Sequence, residues 1–146
     1  MMSSTRSFLI LFLCVRSLVE IVCAPDFHVT NIDPGFPRNV STNDPQVKRA
    51  ARVTVYAYNN MSNDSFLFKE MEIKKAMMQV VKGIKYFLLT EIARTVCPKK
   101  ELYNLDTCEF QQNKPFKQIF TCYSEVWIMA WLQKETVPVL QCQRQK

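Results

Sequence analysis

From position 45 onward the apolar residues recur at a helical interval. Val47, Ala51, Val55 and Tyr58 share one face while Lys48, Arg49 and Arg52 fall between them, the pattern of a single amphipathic helix. Asn43-Asp44-Pro45 supplies its start, a capping side chain followed by a proline suited to the first helical position. The helix should end near Asn59-Asn60, where a polar run through Asp64 makes a loop. Beyond it the period changes. Phe66 and Phe68, then Met71 and Ile73 between charged residues, predict a long strand over 66–80, and Val81-Lys82-Gly83 a turn. A second long strand follows, with Ile84, Tyr86, Leu88 and Ile92 on one face and Lys85, Phe87, Leu89 and Glu91 on the other. Residues 98–113 read as a polar loop, 116–128 as a third strand and 135–142 as a last one, which Pro138 marks as an edge. Ahead of the helix, residues 24–42 carry three prolines and a glycine without periodicity, as in an extended arm ending in a short strand. One helix followed by antiparallel hairpins predicts an α+β domain in which the helix packs across the sheet.

The first residues change the picture of where the chain works. Arg6, an apolar run over 8–15 and a short stretch reaching Cys23-Ala24 have the three parts of an export signal, so residues 1–23 read as a signal peptide and 24–146 as one domain. The run is too short to span a bilayer. Six cysteines stand at 14, 23, 97, 108, 122 and 142. In an exported chain the last four read as two disulfides; three pairings are open, of which Cys97 with Cys108 and Cys122 with Cys142 closes two short, separate loops. A zinc site is disfavoured, because there is no C-x-x-C and the sole histidine, His28, is far from the cysteines in sequence. Cleavage after Cys23 discards it and leaves a monomer; cleavage before it leaves a thiol able to join two chains. Asn39, Asn60 and Asn63 each begin an N-glycosylation tripeptide. The net charge of +6 is scattered among acids rather than gathered in a block, and no aromatic-basic motif accompanies it, so neither nucleic acid nor membrane is an expected partner.

No enzyme is expected. The single histidine lies in the arm, the cysteines are assigned to bridges, and there is no nucleophile elbow or phosphate-binding glycine loop, nor any expected cofactor or metal. The only two glycines, Gly35 and Gly83, are therefore informative, since each belongs where a side chain would obstruct the backbone or where positive φ is required. Gln79-Val80-Val81-Lys82-Gly83 forms a Q-x-V-x-G pattern between two strands, Gly35 sits in Pro34-Gly35-Phe36-Pro37, and Trp131 lies between the last two strands. With the four C-terminal cysteines, these features resemble the type-2 cystatin family. Further stretches are similar to one subtype of it: Thr42-Asn43-Asp44-Pro45, Phe66-Leu67-Phe68-Lys69-Glu70, Val81-Lys82-Gly83-Ile84-Lys85-Tyr86 and Cys122-Tyr123-Ser124-Glu125-Val126-Trp127.

The resemblance implies the cystatin fold, a five-stranded antiparallel sheet wrapped around one long helix, with two consecutive disulfides. It implies a secreted, or also endolysosomal, reversible inhibitor of papain-like cysteine peptidases such as cathepsins, blocking their cleft at three places. The arm at Pro34 and Gly35 would lie in the non-primed groove, where Asp33 and Pro34 should suit only some enzymes. Gln79, Val80, Val81, Lys82 and Gly83 would cover the catalytic cysteine without offering a peptide bond for attack, Gln79 bracing the turn. Trp131 would meet the primed side with a large, stiff ring. Ala130 departs from the proline usual there, which frees the unbound loop and should weaken binding somewhat. Trp127, inside a strand, is expected to be structural. Ser62-Asn63-Asp64 resembles the loop by which some type-2 cystatins occupy legumain, with Asn63 in the specificity pocket; a glycan on Asn63 would exclude this. The alternative reading is a non-inhibitory cystatin-like binding or carrier domain on the same scaffold.

Overall fold

The computed structural model describes residues 35–146. The expected export signal over 1–23, Cys14, Cys23, His28, Asp33 and Pro34 lie outside the described residues. Five strands form one antiparallel sheet in sequence order, β1 (Arg38–Asn39), β2 (Phe66–Val81), β3 (Gly83–Pro98), β4 (Ile119–Met129) and β5 (Lys134–Arg144), and a helix α1 (Pro45–Met61) connects β1 to β2. This is the α+β arrangement expected of the sequence. Strand β5 with its Pro138 is indeed at an edge, where a missing N–H costs no ladder bond.

Helix α1 begins where Asp44 accepts a hydrogen bond from the Gln46 N–H at 2.7 Å, with Pro45 in the first turn. Its buried face comprises Val47, Ala50, Ala51, Thr54, Val55 and Asn59, one continuous stripe at helical spacing. The upper part packs with Ala76, Tyr86, Leu88 and Val126; the lower part, through Val55, with Phe68, Ile92, Leu105 and the Cys97, Cys108 and Cys122 sulfurs. Tyr58, Phe68 and Phe120 stack at 5.0 to 5.6 Å between ring centres and close the core at the helix end. Two polar contacts tie the helix to the sheet from within. Thr54 and Ser124, both fully buried, share a hydrogen bond of 2.8 Å between their hydroxyls. Asn59 donates to the Phe68 carbonyl and accepts from the Phe68 N–H, each at 2.9 Å. The helix runs to Met61, one residue beyond the expected Asn59-Asn60, where the Ser62 N–H closes the last turn on the Tyr58 carbonyl at 2.8 Å.

Two further details depart from the sequence reading. Register shifts at Phe66/Phe68, Glu70/Glu72 and Ile73/Lys75 bend β2, so Phe68 is buried while Met71 is exposed. The third long strand starts at Ile119 rather than 116, because the Phe116 and Lys117 N–H groups both turn back to the Asn113 carbonyl and cannot join a ladder. Disulfides join Cys97 to Cys108 and Cys122 to Cys142, the second directly across the β4–β5 ladder. Arg52 bonds Glu70 at 2.7 Å and Asp106 at 2.6 Å, fastening the 105–107 turn beside the helix and holding the Asp106 carboxyl below its usual range.

The Asn59 amide is the sharpest test of this packing. Asn59→Ala leaves two buried backbone groups of Phe68 without partners and should lower the unfolding free energy by about 2–4 kcal/mol. Urea denaturation followed by circular dichroism reads this; a loss under about 1 kcal/mol would show that the lock contributes little.

Candidate functional site

The β2–β3 hairpin turns on one residue. Val81 pairs with Gly83, leaving Lys82 at the tip. Gly83 has φ of +102°, and a Cβ there would stand 2.5 Å from the Ile128 carbonyl oxygen of β4. Both reasons for a glycine, conformation and close approach, hold at this position. The approach seats the first hairpin directly against the strand that leads into the second. Trp127 completes the seat, its indole N–H donating to the Lys82 carbonyl at 2.8 Å. Trp127 is thus structural, as expected, but its structural task is to hold the hairpin tip.

The arm is tied to the same hairpin. Gln79 Nε2 donates to the Gly35 carbonyl at 2.8 Å. The expectation that Gln79 braces the turn is corrected: its amide reaches along the sheet edge to the arm and leaves the turn to Trp127. Gly35 has φ of +124° with open space around its Cβ position, so conformation alone selects glycine there.

The second hairpin leaves β4 at Met129, makes a 3₁₀ turn over Ala130–Leu132, and re-enters β5 at Lys134. The turn closes through Gln133 in left-handed conformation, φ 47°, its N–H bonded to the Ala130 carbonyl at 3.1 Å. No glycine or asparagine marks this bend, so it is not legible in the residue pattern. Trp131 is 58% exposed and Leu132 57%. Phe36, beside Gly35, is 82% exposed, and Val81 is exposed as well.

These contacts link the three places in one chain: Gly35 to Gln79, Lys82 and Gly83 to Trp127 and Ile128, and β4 onward to Ala130 and Trp131. The structure brings them together at one end of the sheet. Phe36 and Leu132 were missed, although each adjoins a residue singled out, because a lone apolar residue in a sequence reads as core. Beneath the hairpins, Lys85 bonds Glu125 at 2.5 Å and holds its carboxyl below the usual range, with Tyr123 as a second donor. A concavity of about 720 Å³ lies elsewhere, lined by Lys48, Arg52, Glu70 and Asp106 between α1 and β2. Among the described residues no cluster has the make-up of a metal site. Asn63 is separate from the edge, on the loop between α1 and β2.

Two hairpins and an arm thus present the exposed side chains of Phe36, Val81, Trp131 and Leu132 on one α+β scaffold of a single helix and a five-stranded sheet. The comparisons with known proteins give that scaffold its family. A cystatin-domain model matches residues 35–127. Human cystatin-F is 51% identical over 120 residues, 82% of each chain, and mouse cystatin-F 45% over 141 residues, 94% of this chain and 98% of that one. The crystal structure of dimeric human cystatin F superposes with a TM-score of 0.76 at 49% identity, covering 85% of this chain and 98% of the other. The chain belongs to the cystatin family and is an inhibitor of cysteine peptidases.

Trp127→Phe keeps the ring and removes the donor to Lys82. It should speed amide exchange at Lys82 and Gly83 by about tenfold while leaving the Asn59 and Phe68 region unchanged. Hydrogen exchange with mass spectrometry checks this, and uniform acceleration across the chain would assign Trp127 to global stability instead.

Proposed function

We propose that the chain inhibits papain-like cysteine peptidases, cathepsins among them, by inserting the edge built from Gly35, the Gln79–Gly83 hairpin and the Ala130-Trp131 turn into the active-site cleft. The observation that carries this reading is the chain of contacts from the Gly35 carbonyl through Gln79 to Gly83 and Ile128. It fixes three places far apart in sequence before any enzyme is met, which lowers the ordering cost of binding. Pro34 would continue the arm into the non-primed groove. Val80 and Val81 would cover the catalytic cysteine, with Lys82 at the tip. Trp131 would supply the large contact on the primed side. No catalytic role is assigned to this chain, and the non-inhibitory alternative is not favoured by its kinship with cystatin-F. A secreted site of action is supported by the export signal read over 1–23 and by the glycosylation tripeptides at Asn39, Asn60 and Asn63, all three exposed, and its extension to endosomes and lysosomes by the kinship with cystatin-F. A covalent dimer would rely on Cys23 if that residue is retained.

Titration against papain and a panel of cathepsins tests the edge. Trp131→Ala should raise Ki by about 30-fold or more, as for a central aromatic anchor. Ala130→Pro should lower Ki about threefold, because a proline restricts the unbound loop and so lowers the ordering cost of binding. Unchanged Ki for Trp131→Ala would remove the second hairpin from the contact.

A second reading concerns Asn63. The loop carrying it is held by Asp64, which accepts from the Phe66 N–H at 2.9 Å and pairs with Arg94, and by Lys99, which bonds the Ser62 carbonyl. Asn63 itself stays exposed. A stiff loop presenting an asparagine suits legumain, an asparagine-specific peptidase. Intact mass of the secreted protein decides availability: an unglycosylated Asn63 with legumain inhibition is the expected result, and full glycan occupancy there ends this reading.

A further inference from the structure

At the opposite end of the sheet from the two hairpins, where β4 starts and β5 ends, four cations converge. Lys114, Lys117, Arg144 and Lys146 line a shallow concavity of about 470 Å³ with Gln118, Ile119 and Gln145, and no Asp or Glu side chain lines it. All four are exposed, and none joins any ion pair found among the described residues. Of the cations paired with acids, Arg49, Arg52, Lys74 and Lys85 lie elsewhere, and Arg94, behind the 116–118 turn, is taken by Asp64. Folding thus gathers four unpaired cations from two separate segments onto this surface, while others, among them Arg38, Lys48, Lys75 and Lys134, stand unpaired elsewhere among the described residues.

The frame that carries these side chains is fixed. Phe116 and Lys117 N–H groups bond the Asn113 carbonyl at 3.0 and 2.9 Å, and the Arg94 N–H bonds the Gln118 carbonyl at 3.0 Å. Between Arg144 and Lys146, Gln145 is held three ways: its N–H on the Ile119 carbonyl at 2.9 Å, and its amide on Glu91 at 2.8 Å and Thr121 at 2.9 Å. Glu91 is itself turned toward Lys74 at 3.5 Å.

We propose that this concavity is a binding surface for a sulfated polysaccharide chain. Cations from two separate segments along an open, shallow surface match a linear polymer with closely spaced anionic groups, whose binding releases counterions. Single-stranded nucleic acid is held by stacking on aromatic rings, and none lines the site. Insertion into a bilayer needs apolar side chains, and the lining offers only half-buried Ile119; exposed Phe116 is on the same turn but outside the concavity. Strand β4 has 11 residues, so roughly 35 Å separates this surface from the peptidase-facing end. The inhibitor can therefore be retained on a sulfated matrix with its inhibitory edge free. The inference rests on the reading of the chain as secreted and is independent of which residues touch the peptidase.

The test uses protein secreted from cells expressing the full chain, a heparin dodecasaccharide and isothermal titration. Lys114→Gln, Lys117→Gln, Arg144→Gln and Lys146→Gln combined should weaken binding at least ~10-fold and flatten its salt dependence. Arg38→Gln, Lys48→Gln, Lys75→Gln and Lys134→Gln combined remove the same charge and should change it less than ~2-fold. N-desulfated heparin should bind more weakly than heparin. Equal loss in both variants, no binding by the natural chain, or tighter binding to phosphatidylserine vesicles or a single-stranded oligonucleotide would overturn the proposal. Papain inhibition measured alongside should be the same for the first variant and the natural chain, with and without heparin. Failure of inhibition in the natural chain would speak against the proposed edge and leave the heparin result standing.

Discussion

The burial of one helix face against one sheet face is the constraint on which the rest depends. A domain of this size has a single core to gain from, and α1 supplies one side of it with small residues, Ala50, Ala51 and Thr54, that let the helix lie close. Closeness demands a curved sheet, and β2 provides it through three register shifts. The same closeness leaves buried polar groups to be satisfied. Thr54 with Ser124, and Asn59 with the Phe68 backbone, answer that need and also fix the helix in rotation and along its axis.

With the sheet's curvature and register set, the edge proposed to meet the peptidase follows as a geometric result. The register of β3 on β4 places Gly83 beside Ile128 and Lys82 under Trp127. The same ladder carries β4 to Met129, so the second hairpin must emerge next to the first. The arm, entering β1 beside Met77 and Met78, is brought within reach of Gln79. A protein that plugs a cleft gains from such stiffness, since little remains to be ordered on binding. The surface proposed to enter a cleft is accordingly an exposed ridge, with a shallow concavity lined by Met129, Ala130 and Gln133 beside it.

Charge is distributed to the same end. Glu125 and Asp106 have carboxyls held below the usual range by Lys85 and Arg52, respectively. Groups depressed in this way contribute stability that is present above their unfolded values and is lost only as pH falls through the folded ones. Both pairs therefore persist in a mildly acidic compartment.

By itself the sequence determined the helix, the strands, the two hairpins and the family, because each is written in local periods, caps and a motif of few residues. Val47 to Val55 and Ile84 to Ile92 carry their burial in their spacing, and Gly83 announces a turn. Only the tertiary structure decided why Gly83 must be glycine beyond that turn, which partner Gln79 holds, and that Trp127 supports the tip. It also decided where β4 begins, how Gln133 closes a bend without glycine, and that four cations from positions 114 to 146 face one concavity. All of these are relations between segments remote in the chain. Periodicity along one segment reports which side is buried, but the atom that a side chain meets is set by register and curvature, and those exist only after the sheet has closed on the helix.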